Sequence, residues 1–489
     1  MIVKKTTSAF LIFSLLLSIQ VHAQKFRAVL KDSTGRFFSG KVILYMSKNF
    51  KVPKDGQVGM ASFPCYAVNA VGVPSGGSVL FDDKAISYPV KLSEIERGTY
   101  FVQAVWDKNE GGRSISHSPG NIYSKPIQVT VTANDKQIIT LVCDQVNPEK
   151  TFIETEHVKE LKAPSALLTS FYGKAQTVDA AIILPKEYAT EPNRKFPVLF
   201  TVFGFGGDYH RFSGRDITSD PIDTIACIRV ILDGNCPLGH SVYANSENNG
   251  PRGDALVNEF IPLLEKTYRC NGARLLTGHS SGGWTVLWLQ THYPKTFDGC
   301  WSSSPDPVDF RKTLTVNIYE DKNMFYNKDS ALNPEASIDG FFPVFYMRDA
   351  YPMEKVIYRG EQMNSLNAVF SPKGKDGNPE SICDPVTGVI NPVVAEQWKK
   401  YDISLYLRTN WEQLKTDLDN KIRITTGNND NFYLNDAVHL LDDEMKKLNA
   451  QITIEYFPGD HFTVSTPEFR EKGSQFLSAR YLAWQQKNM

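Results

Sequence analysis

Gly278-His279-Ser280-Ser281-Gly282 sets a serine between two glycines, each two positions away. Attack on an ester carbonyl needs a hydroxyl held out from the backbone at a sharp strand-to-helix turn, and glycines at those positions let strand and helix approach closely. The flanks fit that turn, because Arg274 to Thr277 reads as a strand and Gly283 to His292 as a helix. A serine hydroxyl is a weak nucleophile until a base takes its proton, usually a histidine oriented by a carboxylate. When such a serine sits on a strand-to-helix turn the chain order is serine, acid, histidine. Three histidines follow Ser280: His292, His439 and His461. His292 falls at the far end of the serine's own helix and reads as a surface or capping residue. His439 lies within a helical pattern and reads as structural. His461 follows the last strand, in Pro458-Gly459-Asp460-His461-Phe462, and is the expected base.

The acid is expected in the loop after the penultimate strand, Lys421 to Thr426. Gly427-Asn428-Asn429-Asp430 follows it and nominates Asp430. Asp436 is the alternative, and Asp460 reads as shaping the histidine's loop. A tetrahedral intermediate needs backbone donors aimed at its oxyanion, each worth roughly 3–4 kcal/mol. The amide of Ser281 is one expected donor. Phe205, in Phe203-Gly204-Phe205-Gly206-Gly207, is the other, against the reading of a glycine-rich turn that only packs. Tyr243, His279, Trp301 and Asp306 are candidate substrate contacts, with structural roles as the competing reading, and Asn248 reads as a turn former.

These residues need elements that carry them. From Lys25 to about Gln145 short alternating runs such as Lys41-Val42-Ile43-Leu44-Tyr45 are broken by Gly, Pro, Asn and Asp. Such spacing predicts a small immunoglobulin-like β-sandwich over 24–145. A polar linker is expected over 146–164. Beyond it strands at 178–184, 197–203, 226–232, 274–277, 297–302, 421–426 and 451–456 alternate with helical patterns. One of these, Gly253 to Tyr268, puts Leu256, Phe260, Leu263 and Leu264 on one face. That rhythm predicts an α/β domain over 165–489, a mostly parallel sheet with helices on both faces. The stretch from about 310 to 420 lacks the rhythm and is rich in aromatics, Pro and Gly. It reads as an inserted cap, where substrate contacts tend to collect.

Lys4 and Lys5, the apolar run Ala9 to Ile19 and Val21-His22-Ala23 predict a signal peptide cleaved after Ala23. Periplasmic or secreted localisation follows, with no membrane insertion, since no later run reaches the ~20 apolar residues of a spanning helix. Removal takes two lysines and no acid from a chain of net charge −1. Without a concentrated basic patch, nucleic acid is not an expected partner. Seven cysteines without a CxxC pair argue against zinc, and neither a metal nor another cofactor is expected. Cys227 with Cys236, or Cys65 with Cys143, could pair in an exported chain, and buried free thiols are the alternative.

With these residues in place, the chain resembles the putative-esterase family of α/β-hydrolases, which includes S-formylglutathione hydrolases and feruloyl esterases. The resemblance spans about Ser165 to Ala483. It rests on Phe196-Pro197-Val198-Leu199, the Gly204 to Gly207 loop, Gly278 to Gly283, Gly427 to Asp430 and Gly459-Asp460-His461. Many members have His-Gly where this chain has Phe203-Gly204. A bacterial subgroup with an N-terminal β-domain is similar also in Gly98 to Ala104, Asn248 to Asp254 and Trp301 to Phe310. The resemblance implies hydrolysis of a carboxylic ester, on a small molecule or an acylated carbohydrate, through an acyl-enzyme on Ser280, Asp430 and His461. A peptidase or acyltransferase on the same triad is the nearest alternative. An inert hydrolase domain in a carbohydrate-binding or surface protein is the reading from another class, with Tyr100 and Trp106 as aromatic candidates that core packing would equally explain. Oligomeric state is not readable.

Overall fold

The computed structural model describes residues 24–56, 63–132 and 137–488. The expected signal segment, 1–23, lies outside the described residues. Among the described residues the N-terminal domain has nine strands: β1 (Lys25–Leu30), β2 (Phe38–Ser47), β3 (Cys65–Val73), β4 (Ser78–Phe81), β5 (Ile86–Tyr88), β6 (Gly98–Asp107), β7 (Ile122–Ser124), β8 (Ile127–Val131) and β9 (Ile138–Val146). Hydrogen bonds join all nine into one sheet, ordered β4-β1-β9-β7-β6-β2-β3-β5 with β8 also on β6. β6 pairs with β8 along residues 98–102 and with β7 at Val105 and Trp106, so the sheet forks there. Phe26, Leu44, Tyr66, Phe81, Trp106 and Leu141 then share one apolar core. A sandwich of two separate sheets is thus replaced by a single sheet wrapped around its core. Tyr100 and Trp106 are buried in it, which removes them as exposed binding aromatics.

The other face of this sheet is apolar too. Ile43, Tyr45, Cys65, Ala67 and Val105 belong to the same hydrophobic core as the second domain. The run Val42-Ile43-Leu44-Tyr45-Met46 is buried throughout because both of its faces are covered. Cys65 and Cys143 therefore belong to different cores, and all seven cysteines are buried free thiols.

Part of the stretch expected as linker is strand. Leu161 and Ala163 bury one face of β10 (Val158–Pro164) and Val158 the other, and this strand edges the second sheet. The sheet continues with β11 (Thr177–Ile183), β12 (Phe196–Val202), β13 (Ile228–Leu232), β14 (Cys270–His279) and β15 (Gly299–Ser303). An inserted hairpin, β16 (Pro334–Ile338) and β17 (Phe342–Tyr346), precedes its last two strands, β18 (Ile422–Gly427) and β19 (Thr453–Phe457). The order is β10-β11-β13-β12-β14-β15-β18-β19, antiparallel at β10–β11 and β11–β13 and parallel elsewhere. The helical stretch before β14 runs from Arg252 to Thr267 through a π turn at Leu256–Phe260, and buries Leu256, Phe260 and Leu264.

Helix α1 (Ser281–His292) starts at the serine turn and is buried along almost its whole length. Between β15 and β18 come α2 (Met347–Ile357), α3 (Gln362–Phe370) and α4 (Ile403–Leu418). α4 packs on α1 as a sheet-flanking helix, so the excursion divides before it. α2 packs on β3 and β5 and ties the excursion to the N-terminal domain. Just after α2, Arg359 makes two hydrogen bonds to Asp107, 2.6 and 2.7 Å, with both side chains fully buried. Two further helices follow, α5 (Leu434–Lys447) and α6 (Pro467–Asn488). No helix among the described residues is long and apolar enough to cross a membrane.

Candidate active site

Ser280 stands at φ 59°, ψ −126°, between the last residue of β14 and the first of α1. A non-glycine residue at such angles stores strain that its surroundings must impose. They do so through glycines: a Cβ on Gly282 would lie 2.0 Å from the Val202 carbonyl oxygen, and one on Gly278 would lie 2.2 Å from that of Gly282. The Ser280 amide donates to Ser303 O (3.0 Å), and its carbonyl accepts from the amides of Trp284 and Asp306.

Asp430 and His461 arrive from the ends of β18 and β19. Their loops touch closely, since a Cβ on Gly427 would sit 2.5 Å from the Gly459 carbonyl oxygen. His461 Nδ1 lies 2.8 Å from Asp430 Oδ2, and both side chains are buried. Asp430 Oδ1 accepts from the Phe432 amide (2.9 Å), and the His461 amide donates to Asn431 Oδ1 (3.0 Å). Phe432 and Phe462 stand edge-on to the imidazole. Asp436 is elsewhere, on α5 beside Lys312 (3.5 Å), while Asp460 accepts from the amides of Phe462 and Thr463 and shapes the loop.

The four candidate substrate contacts divide. His279 and Asp306 line a cavity of about 380 Å³ together with Ser280, His461 and Phe205. Burial, with a smaller contribution from His461, pushes the His279 imidazole down to about 4, so it stays neutral. Asp306 accepts from Ser281 Oγ (2.6 Å) and, at the long distance of 3.5 Å, from Ser280 Oγ. Burial raises its carboxyl above the ordinary range. Tyr243 and Trp301 are not at the cavity. Tyr243 is in the core with its hydroxyl on Asp233 O (2.7 Å), and Trp301 faces the other side of the sheet, on Phe469, donating to Thr425 Oγ1. Alternation along β15 turns Trp301 away from the serine, which the segment's position in the chain alone did not reveal. His292 is no surface residue: its ring stacks between Trp288 and Tyr406. His439 stacks on Tyr456, and Asn248 is buried, donating to Ser371 O.

The Phe205 loop is a turn closed by the Gly207 amide on Gly204 O (3.0 Å), with Gly206 at φ 80°. It presses on the serine, because a Cβ on Gly204 would come within 3.0 Å of Ser280 Cβ. Two residues with no sequence signal hold it. His240 Nδ1 accepts from the Val242 amide, so Nε2 carries the proton and donates to Phe203 O (3.2 Å). Arg113, from the N-terminal domain, lays its guanidinium 4.4 Å from the Phe205 ring centroid and donates to Gly360 O (2.7 Å). The inserted excursion supplies Leu314, Glu335, Met363 and Leu366 to the cavity wall. A larger polar cleft of about 890 Å³ between the domains contains none of Ser280, Asp430 and His461.

Among the solved structures to which the chain is similar are a ferulic acid esterase (13% identity, 68% of this chain and 98% of that one, TM-score 0.37), the Staphylococcus aureus fluorophosphonate-binding serine hydrolase F (13%, 65% and 98%, 0.38) and the Agrobacterium tumefaciens S-formylglutathione hydrolase (11%, 66% and 94%, 0.36). No curated protein matches the chain. The family described as Putative esterase matches residues 175–472, which takes in β12, the serine turn and the loops after β18 and β19, and leaves the N-terminal sheet outside. The chain belongs to the putative-esterase family and is a serine carboxylic-ester hydrolase.

Proposed function

We propose that this enzyme cleaves carboxylic esters through an acyl-enzyme on Ser280, with His461 as base and Asp430 as its orienting acid. The observation that carries the reading is the buried 2.8 Å Asp430–His461 pair opening on the same cavity as Ser280. A carboxylate accepts only, so Asp430 fixes the proton on Nδ1 and leaves Nε2 as the base. Ser280 Oγ leaves its long contact with Asp306, gives its proton to Nε2 and attacks the carbonyl carbon. The oxyanion is taken by the amides of Ser281, at the free start of α1, and Phe205. His461 then protonates the leaving alcohol, and water repeats the sequence to release the acid.

The excursion before α4 acts as the cap, and the mostly apolar cavity suits a small-molecule ester or the acyl group of an acylated carbohydrate. Lys4, Lys5, the apolar run Ala9 to Ile19 and Val21-His22-Ala23 support export to the periplasm or beyond. A fluorophosphonate probe is expected to label wild type but not Ser280→Ala, and that substitution is expected to abolish hydrolysis of p-nitrophenyl acetate. Unchanged turnover in the variant would refute the assignment.

A further inference from the structure

Glu335 sits where the inserted hairpin breaks register. Pro334 pairs with Tyr346 and Ala336 with Phe345, so Glu335 is skipped by the ladder. A bulge of this kind re-aims a side chain. Here the residue lines the cavity that holds Ser280 and His461. Its Oε2 is buried without a hydrogen-bond partner among the described residues. The cavity wall is mostly apolar, with Leu314, Met363, Leu366 and Phe432, and among the described residues no lysine or arginine borders it. A buried acceptor left unpaired destabilises the fold, so a carboxyl at this place calls for a donor from the ligand.

Two donors could supply it, a hydroxyl or an ammonium. Burial pushes the carboxyl up to about 8, so at neutral pH it is protonated and can both donate and accept. A hydroxyl offers the matching pair of roles. An ammonium would force the carboxyl to ionise against an apolar wall. We propose that Glu335 is the specificity-determining residue of the cavity, hydrogen-bonding a hydroxyl on an otherwise apolar part of the ester while Leu314, Met363 and Leu366 hold the rest. The proposal rests on the Ser280 reading above, because it names what that site accepts.

The test uses matched esters differing by one hydroxyl. Methyl 3-(4-hydroxyphenyl)propanoate against methyl 3-phenylpropanoate probes the acyl side, and 2-(4-hydroxyphenyl)ethyl acetate against 2-phenylethyl acetate probes the alcohol side. Wild type is expected to prefer the hydroxylated ester of at least one pair by about 10-fold or more in kcat/KM, carried mainly by KM. Glu335→Leu is expected to bring that ratio to about one, and Glu335→Gln, which can still donate and accept, to keep a preference. Fluorophosphonate labelling of each variant reports an intact Ser280 site. A wild-type ratio near one in both pairs, with labelling intact, overturns the Glu335 proposal alone. So does a stronger preference for the 4-aminomethyl analogue that Glu335→Gln abolishes. Absence of both labelling and ester hydrolysis in wild type would instead overturn the underlying reading, and this proposal with it.

Discussion

The cavity has two walls built on different principles. One carries Ser280, Asp430 and His461, each within a few residues of the end of a parallel strand and held by close glycines and backbone bonds among the loops at that end of the sheet. The other carries Leu314, Glu335, Met363 and Leu366 from the excursion, and it is held from outside the family-matched region, through α2 on β3 and β5 and through Arg359 on Asp107. The chemistry is thus assembled locally, while the surface facing the substrate depends on a second domain. Arg113 crosses between them, since it comes from the N-terminal domain yet stacks on Phe205.

The contrast can be broken first on the chemical wall. Ser280→Ala should lower kcat by about 10⁴- to 10⁶-fold while the melting temperature hardly moves. Arg359→Met acts on the other wall and should behave in the opposite way. It leaves Asp107, which Arg359 now holds below its ordinary pKa against the effect of burial, buried beside an apolar side chain. Breaking such a pair costs about 3–5 kcal/mol, to be read in a denaturant titration. A loss below ~1 kcal/mol would mean that the domains are not joined through this pair.

Arg113→Ala sharpens the comparison at the crossing point. A stacked cation is worth about 0.5–2 kcal/mol, so kcat should fall by roughly 2- to 30-fold with KM little changed. Arg113→Lys should recover part of it. An effect on KM alone would show that the residue shapes the cavity rather than the Phe205 loop.

The last comparison is of stability against pH. His240, His279 and His292 are each pushed down to about 4 by burial, so each is neutral in the fold while its unfolded counterpart titrates near the ordinary imidazole value of 6.5. Below 6.5 the unfolded chain binds more protons, and stability is lost as pH falls from there to about 4. Glu335 acts in the opposite sense. Its raised folded pKa means that stability declines as pH rises from the unfolded value near 4.5 through about 8. Plotted against pH, the melting temperature should flatten between about 4 and 6.5 in His279→Gln and between about 4.5 and 8 in Glu335→Gln.

The chemical wall was legible because it is local. A strand end, a glycine two residues before the serine and another two after it are adjacent in the chain, and strand order dictates where Asp430 and His461 must lie. Trp301 and Tyr243 were misplaced for a related reason: position in the chain puts a residue near the site, but the pleat or the core decides which way it faces. Val158 to Pro164 passed for linker because an edge strand carrying Lys159, Glu160 and Lys162 looks like polar coil until β11 pairs with it.

What the sequence determined by itself was the ester-hydrolase class and most of the strands and helices, because a strained turn is written in adjacent residues and each element in its own period. Tertiary structure alone decided that the excursion leans on the N-terminal sheet, that Arg113 reaches Phe205 and that Glu335 faces the cavity. Those contacts join residues distant in the chain, and no propensity or period along the chain encodes which buried charge meets which partner.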